Sequence, residues 1–399
     1  MDGLVLAGIT VLELSQDVAG PFCTKILAEM GAQVIKIEPP GVGDSARQAG
    51  PFPGDIPNPE ASGLFLYLNT GKKSITLDLK SATGQQILKR LVERADILVE
   101  SFAPGTMEQL GLGYPVLEKI NRGLIMASIT PFGQTGPYKD YKSEDLITFA
   151  MGGIMSMVGD PDRAPVKLPG TVTRYFAGVQ AYGAAMVALL YRELSGEGQY
   201  IDVSMMEVVA SHTNSEYLRY AYEGGIRPRT GNTSAFQGGI GQVQPTQDDG
   251  LILVAVAPWQ NFCELIEKPE LVTDPRFATR EERVKHGQEL NEYLAQFTKA
   301  HPKEELFQRA QEKRVTWAPI NTVADLFTSP QLQSRDFFKE IDHPVAGALS
   351  YPGNPVRLGD LPTVYQRAPL LGEHNEEVYT EMLGYSGEDV VKLRQVGII

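Results

Sequence analysis

Catalytic nucleophiles, metal ligands and phosphate cradles leave spacing signatures, and the common ones are missing from this 399-residue chain. Its five histidines, His212, His286, His301, His343 and His374, follow neither HExxH nor any paired-ligand spacing, and Cys23 and Cys263 stand far apart. No metal is expected. There is no G-x-S-x-G elbow and no GxxxxGK[ST] loop, which removes ordinary serine hydrolases and P-loop enzymes. Three loops remain as candidates. In SQDVAGPF (15–22), Ala19 and Gly20 allow close backbone approach of a phosphate or adenine edge at a helix start. In NTGKKSITLDLK (69–80), the adjacent Lys72 and Lys73 suit either phosphate contacts or a solvated turn. In FQGGIGQ (236–242), Gly238, Gly239 and Gly241 fit a mobile flap with anion-stabilising amides, or a plain hairpin turn.

The elements that must position these loops follow from periodicity. Short β-branched runs at 9–15, 32–38, 74–79, 95–101 and 124–130 predict parallel strands. FCTKILAEMG (22–31) and SATGQQILKRLVERA (81–95) carry apolar residues at helical spacing between them. A second section opens with the Gly/Pro-punctuated tract 159–170, which leads into YFAGVQAYGAAMVALLYREL (175–194), read as a buried helix with close-packing small residues. A strand at 200–205 and a helix over 206–225 come next, then a differently textured region from 226 to 330 with a strand at 251–257 and a helix over 279–300. Turn-rich segments at 343–359 and a final helix within 386–399 complete the chain. The prediction is an α/β protein with a boundary near 200–225: a large domain over 1–200, a smaller α+β domain at 226–330, and a tail over 331–399.

Composition narrows the function classes. Lys plus Arg number 36 against 49 Asp plus Glu, a net charge of −13 that repels polyanions, so nucleic acid is excluded as a main partner. No apolar run reaches the ~20 residues of a membrane span, and the N-terminus lacks a basic region before its apolar stretch. The expected address is the cytoplasm, without membrane attachment.

Taken in order, the motifs GAQVIKIEPPGVGD (31–44), LNTGKKSITLDLK (68–80), ADILVESFAPGTMEQLGLGY (95–114), ASITPFGQTGPY (127–138), SGEGQYIDVSMME (195–207) and LGEHNEEVYTEMLGYSGEDVVKLR (371–394) change the picture. The chain resembles the class III (CaiB/BaiF-type) CoA-transferase family over essentially its whole length. The resemblance implies a Rossmann-like large domain built from both chain ends, a smaller central domain and an interlocked dimer. It implies coenzyme A or acyl-CoA as substrate and small carboxylic acids as acceptors. CoA would lie near Val18, Ala19, Pro39, Asn69, Lys72, Lys73, Ser101, Phe102, Gln109 and Lys142. The glycines 238, 239 and 241 would correspond to a flap.

This sequence departs from the family pattern at several positions. Pro39 and Gln109 stand where family members often have phosphate-pairing arginines. The family's nucleophilic aspartate lies four residues before a glycine at the start of the small-residue helix, and counting back from Gly178 gives Arg174. A guanidinium is permanently protonated and offers no lone pair, so Arg174 cannot accept an acyl group. Glu144 replaces the histidine that related racemases need, although Asp145 matches the neighbouring acid. The reading that follows is a non-nucleophilic subunit of a heteromeric CoA-transferase, its aspartate supplied by a homologous partner. Such an arrangement resembles the benzylsuccinate-type enzymes, with succinyl-CoA as donor and an aryl-substituted dicarboxylate as one acceptor. A homodimer with an altered nucleophile and a non-catalytic acyl-CoA-binding protein remain the alternatives.

Overall fold

The computed structural model describes residues 3–213, 216–233 and 240–399, which fall into two compact units. The first comprises Met1–Met155, Lys167–Tyr222 and Ser334–Ile399, the second Ser156–Val166 and Glu223–Gln333.

The first unit is built on β1 (Thr10–Glu13), β2 (Gln33–Glu38), β3 (Lys73–Thr76), β4 (Ile97–Glu100), β5 (Ile125–Thr130) and β6 (Tyr200–Ser204). They form one six-stranded sheet in the order β3-β2-β1-β4-β5-β6, with every neighbouring pair parallel. Helices α1 (Ala19–Glu29), α2 (Gly63–Leu68), α3 (Ala82–Val92), α4 (Thr106–Gln109), α5 (Tyr114–Ile120), α6 (Asp145–Met151), α7 (Val172–Ser195) and α8 (Met205–Ser211) accompany it. The strands are apolar on both faces because helices cover both. Val11, Val34, Ile97 and Ile125 pack with α1 and α7, whereas Leu12, Ile35, Leu98 and Met126 pack with α3 and α5. This is the parallel, helix-covered sheet expected from the spacing, and it is consistent with the Rossmann-like domain that the resemblance implies. Strand order reverses between β1 and β4, so a crevice opens at their carboxyl ends.

Local chemistry sets the boundaries. Ser81 starts α3 by accepting the Gly84 N–H at 2.9 Å, and the 386–395 helix opens with a capping box between Ser386 and Asp389. On α7, a Cβ at Gly178 would come 2.6 Å from the Ala19 carbonyl, so only glycine lets this helix lie so close to α1. The chain's end packs on the β3 side, where the Asn375 Oδ1 accepts the Thr76 N–H and the Ile398 carbonyl accepts the Asp78 N–H.

Several sequence expectations need correction. The 175–194 helix is buried on one side only: Gly178, Ala181, Ala185 and Ala188 face the core, while Val179, Val187, Leu190 and Leu194 are exposed. The single helix expected over 206–225 stops at Ser211, where Thr213 turns back to the Ala210 carbonyl, and a second helix runs over Glu216–Glu223. The turn-rich 343–359 region contains half of an antiparallel hairpin, β10 (Phe338–His343) with β11 (Gly347–Pro352). Tract 159–170, expected inside the large domain, clusters with the second unit as far as Val166.

That second unit has a three-stranded antiparallel sheet, β7 (Val243–Pro245), β8 (Leu251–Leu253) and β9 (Ala318–Pro319), over a core including Ile252, Phe262, Leu290, Leu294 and Trp317. The expected 279–300 helix is two helices, Arg280–Lys285 and Gly287–Thr298, broken at His286. Among the described residues no helix is long and apolar enough to cross a membrane.

Candidate functional site

The carboxyl ends of β1 and β2 carry charges that a sheet core tolerates only in matched sets. Glu13 is fully buried and pairs with Lys36 and Lys72, each at 2.8 Å. Burial alone would raise the Glu13 carboxyl, but the two ammoniums outweigh it and hold it down at about 2. Lys36 also pairs with Asp44 at 2.6 Å and donates to the Ser15 carbonyl. Beside them Glu38 takes Arg47 through two contacts of 2.7 and 2.9 Å. The set fixes the loop after β1: Asp44 accepts the Asp17 N–H at 2.9 Å, and the Ser101 hydroxyl accepts the Gln16 N–H at 3.2 Å. Asp17 is held at φ 67°, a left-handed conformation that a non-glycine residue adopts at a cost.

That strained carboxylate faces a pocket of about 190 Å³, lined in part by Gln16, Ser101, Ile129, Ser143 and Met205. On its far wall stands Arg174, third residue of α7 after the Thr171 N-cap. A cation in a helix's first turn opposes the macrodipole, and carboxylates offset the penalty here. Arg174 Nη1 pairs with Asp17, and Nη2 pairs with Glu144 at 2.8 Å. Asp145, at the start of α6, accepts the Arg174 backbone N–H at 3.3 Å and pairs with Lys167 at 2.9 Å. Burial pushes the Asp17 carboxyl up; Arg174 pulls it back in part, and the acids Asp44, Glu144 and Asp145 push it further up.

A second, larger groove of about 490 Å³ runs along the carboxyl ends of β1, β2 and β3. Leu14, Ile37, Leu77 and Leu79 give it apolar walls, and Gln16, Asp78 and Lys80 its polar points. Glu100, buried at the end of β4, accepts the N–H of the groove-lining Phe102 at 2.7 Å. Burial raises the Glu100 carboxyl to about 7, against the stabilising pull of Ser128 and the Phe102 amide.

The residues singled out from the sequence therefore separate. Arg174, Glu144 and Asp145 meet at the small pocket, with Ala19 and Ser101 in its lining. Pro39 and Phe102 line the large groove. Val18 and Asn69 are buried, Asn69 accepting from Lys72. Lys72 itself is corrected: its ammonium is spent inside the protein on Glu13, Asn69 and the Pro21 carbonyl, and burial lowers it to about 8, so it offers a phosphate no exposed cation. Lys73 is half-buried and paired with Glu377, whereas Gln109 and Lys142 are exposed. Gly238 and Gly239 lie outside the described residues. Gly241 donates its N–H to Asn291 at 2.8 Å, so this end of the expected flap is tied down.

Sequence reasoning missed Asp17, Lys167 and Lys80. The signal for Asp17 was present, an acid in the loop after β1 complementary to the unexpected cation at 174.

Comparison with known proteins gives a consistent result. CoA-transferase family III matches residues 6–375. The succinyl-CoA–D-citramalate CoA-transferase of Chloroflexus aurantiacus is 36% identical over 401 residues, covering 99% of this chain and 98% of that protein. The beta subunit of a succinyl-CoA–L-malate CoA-transferase from the same organism is 34% identical over 414 residues, with 100% of both chains covered. The crystal structure of a CAIB/BAIF family protein from Brucella suis superposes with a TM-score of 0.86 at 32% identity, covering 96% of this chain and 100% of that one.

Proposed function

The chain belongs to CoA-transferase family III, and from that premise we propose that it is the non-nucleophilic subunit of a heteromeric CoA-transferase. The observation that carries the proposal is Arg174. At the position where the family resemblance puts the acyl-accepting aspartate stands a permanently protonated guanidinium, paired with Asp17 and Glu144. Nucleophilic attack on a thioester needs a lone pair on an unprotonated group, and this side chain has none to give.

In the proposed complex a homologous partner supplies the carboxylate. It attacks the thioester carbonyl of an acyl-CoA, the C–S bond breaks, and CoA leaves as a thiolate from the mixed anhydride. The thiolate then displaces the donor acid to give an enzyme thioester; the acceptor carboxylate attacks it to form a second mixed anhydride, and the released thiolate attacks the acceptor's acyl carbon, giving acceptor-CoA and freeing the enzyme carboxylate. Succinyl-CoA as donor is supported by the activities of the relatives, and a small dicarboxylate as acceptor suits them equally. That one of those relatives is a beta subunit supports a two-chain enzyme. A docking face is also available, since Val179, Val187, Leu190 and Leu194 form an exposed apolar stripe along α7.

The test is native mass spectrometry of the protein from its source, followed by transfer assays with succinyl-CoA. The expected result is a complex with a second chain of similar size, active together and inactive when this chain is alone. A homodimer that turns over unaided would overturn the reading.

A further inference from the structure

Arg174 is held unequally on its two sides. Its inner arm meets Asp17, whose own backbone is anchored by Asp44, so that contact is built into the loop. Its outer arm meets Glu144, a side chain 81% exposed. An ion pair to so exposed a carboxylate contributes little, because water screens it and the side chain loses entropy in holding one position. Asp145 does not compete for the guanidinium, being matched already by Lys167 and the Arg174 amide.

We infer that this pocket is a non-covalent binding site for the carboxylate of a small organic acid, with Arg174 as receptor and Glu144 as an internal placeholder that the acid displaces. One carboxylate replaces another, so the charge balance around Asp17, Asp145, Lys167 and Arg174 is unchanged. The ligand's stem meets Ala19, Ile129, Pro131 and Met205, and the hydroxyls of Ser101 and Ser143 lie within the same pocket. The inference deepens the function proposed above and rests on it in one respect, that position 174 marks the acyl-accepting site. An acid held there by a guanidinium is bound without being acylated.

Isothermal titration calorimetry of the full chain with succinate, and with neutral succinamide as control, tests this. Succinate is expected to bind and succinamide not. Glu144→Gln, a change at an exposed side chain, should tighten succinate binding roughly two- to fivefold, the factor that losing a weak surface ion pair releases. Arg174→Gln should abolish binding, and Arg174→Lys should restore part of it, which separates loss of the cation from loss of fold. Unchanged or weaker binding in Glu144→Gln, binding retained in Arg174→Gln, or no succinate binding in either protein overturns the inference. The readout needs no turnover. This binding pattern in a self-sufficient homodimeric transferase would leave the inference standing and remove the heteromeric reading, and heteromeric transfer without the binding would do the reverse.

Discussion

At residue 174 a helix start that favours an acid holds a cation, and the surrounding acids are what make the exchange tolerable. Placing an acid there is therefore not a neutral change. Arg174→Asp gains a favourable first-turn charge, worth about 0.5 kcal/mol, but takes from Asp17 and Glu144 the cation they share and adds a carboxylate beside Asp145, whose own partner is Lys167. Crowded carboxylates have raised pKa values, so the stability they remove is small at low pH and grows as pH rises through those values. Urea denaturation should show Arg174→Asp destabilised by about 1–3 kcal/mol at pH 8 and less at pH 5, with Asp17→Asn in the same chain recovering much of the loss. Equal stability at both pH values would show that the acids do not sense residue 174. Arg174, Glu144 and Asp145 were legible because each sits at a fixed offset from a recognisable motif. Asp17 was not, because its partner is 157 residues away and its meaning depends on that contact. Lys72 shows the opposite failure: as a sequence feature it suggests an exposed cation, and only Glu13, 59 residues away, decides that it is buried.

At the scale of elements, the strand ends carry the charges that shape the site, and two of them should dominate its pH response. Glu13 ties β1 to β2 and β3 through Lys36 and Lys72; with its carboxyl held down at about 2, its contribution is present above the ordinary carboxylate range and lost as pH falls towards 2. Glu13→Gln leaves two buried ammoniums short of their partner, and chemical denaturation at pH 7 should show a loss of about 3–5 kcal/mol. Glu100, at the end of β4, behaves inversely. Its carboxyl is raised from 4.5 to about 7, so the protonated form suits the fold, and stability is lost as pH rises from about 4.5 to 7. Glu100→Gln keeps an acceptor for the Phe102 amide and should match the parent at pH 4.5 while exceeding it by up to about 3 kcal/mol at pH 8. A parent protein with no stability change across that interval would contradict a buried neutral Glu100. The parallel strands themselves were legible, since β-branched runs buried on both faces leave continuous apolar stretches. The β10–β11 hairpin was hidden because FKEIDH and GALSYP carry weak alternation and a proline, and their pairing with each other is what makes them strands.

At the scale of the whole molecule, the sequence pattern of α7 carries two messages, of which only one is satisfied within a single chain. The small residues Gly178, Ala181, Ala185 and Ala188 are consumed by packing on α1 and the sheet, which is why the segment reads as a buried helix. The other stripe, Val179, Val187, Leu190 and Leu194, follows the same helical spacing and is left in water, with Leu194 81% exposed. On α6 the side chains of Leu146, Ile147 and Met151 are exposed too. Burying one such aliphatic side chain is worth about 1.5–3 kcal/mol, so leaving several exposed along two helices is expensive unless another chain covers them. Because these residues contribute nothing to the chain's own core, charging them should separate assembly from folding. Val187→Glu with Leu194→Glu is expected to leave the thermal unfolding of the isolated chain within a few degrees of the parent while shifting the sedimenting species to single-chain mass. Transfer activity should fall with the loss of the larger species, because under the proposed function the carboxylate that attacks the thioester belongs to the other chain. An unchanged assembly in that double variant would place the subunit contact elsewhere, and an unfolded one would show that the stripe packs within the chain after all.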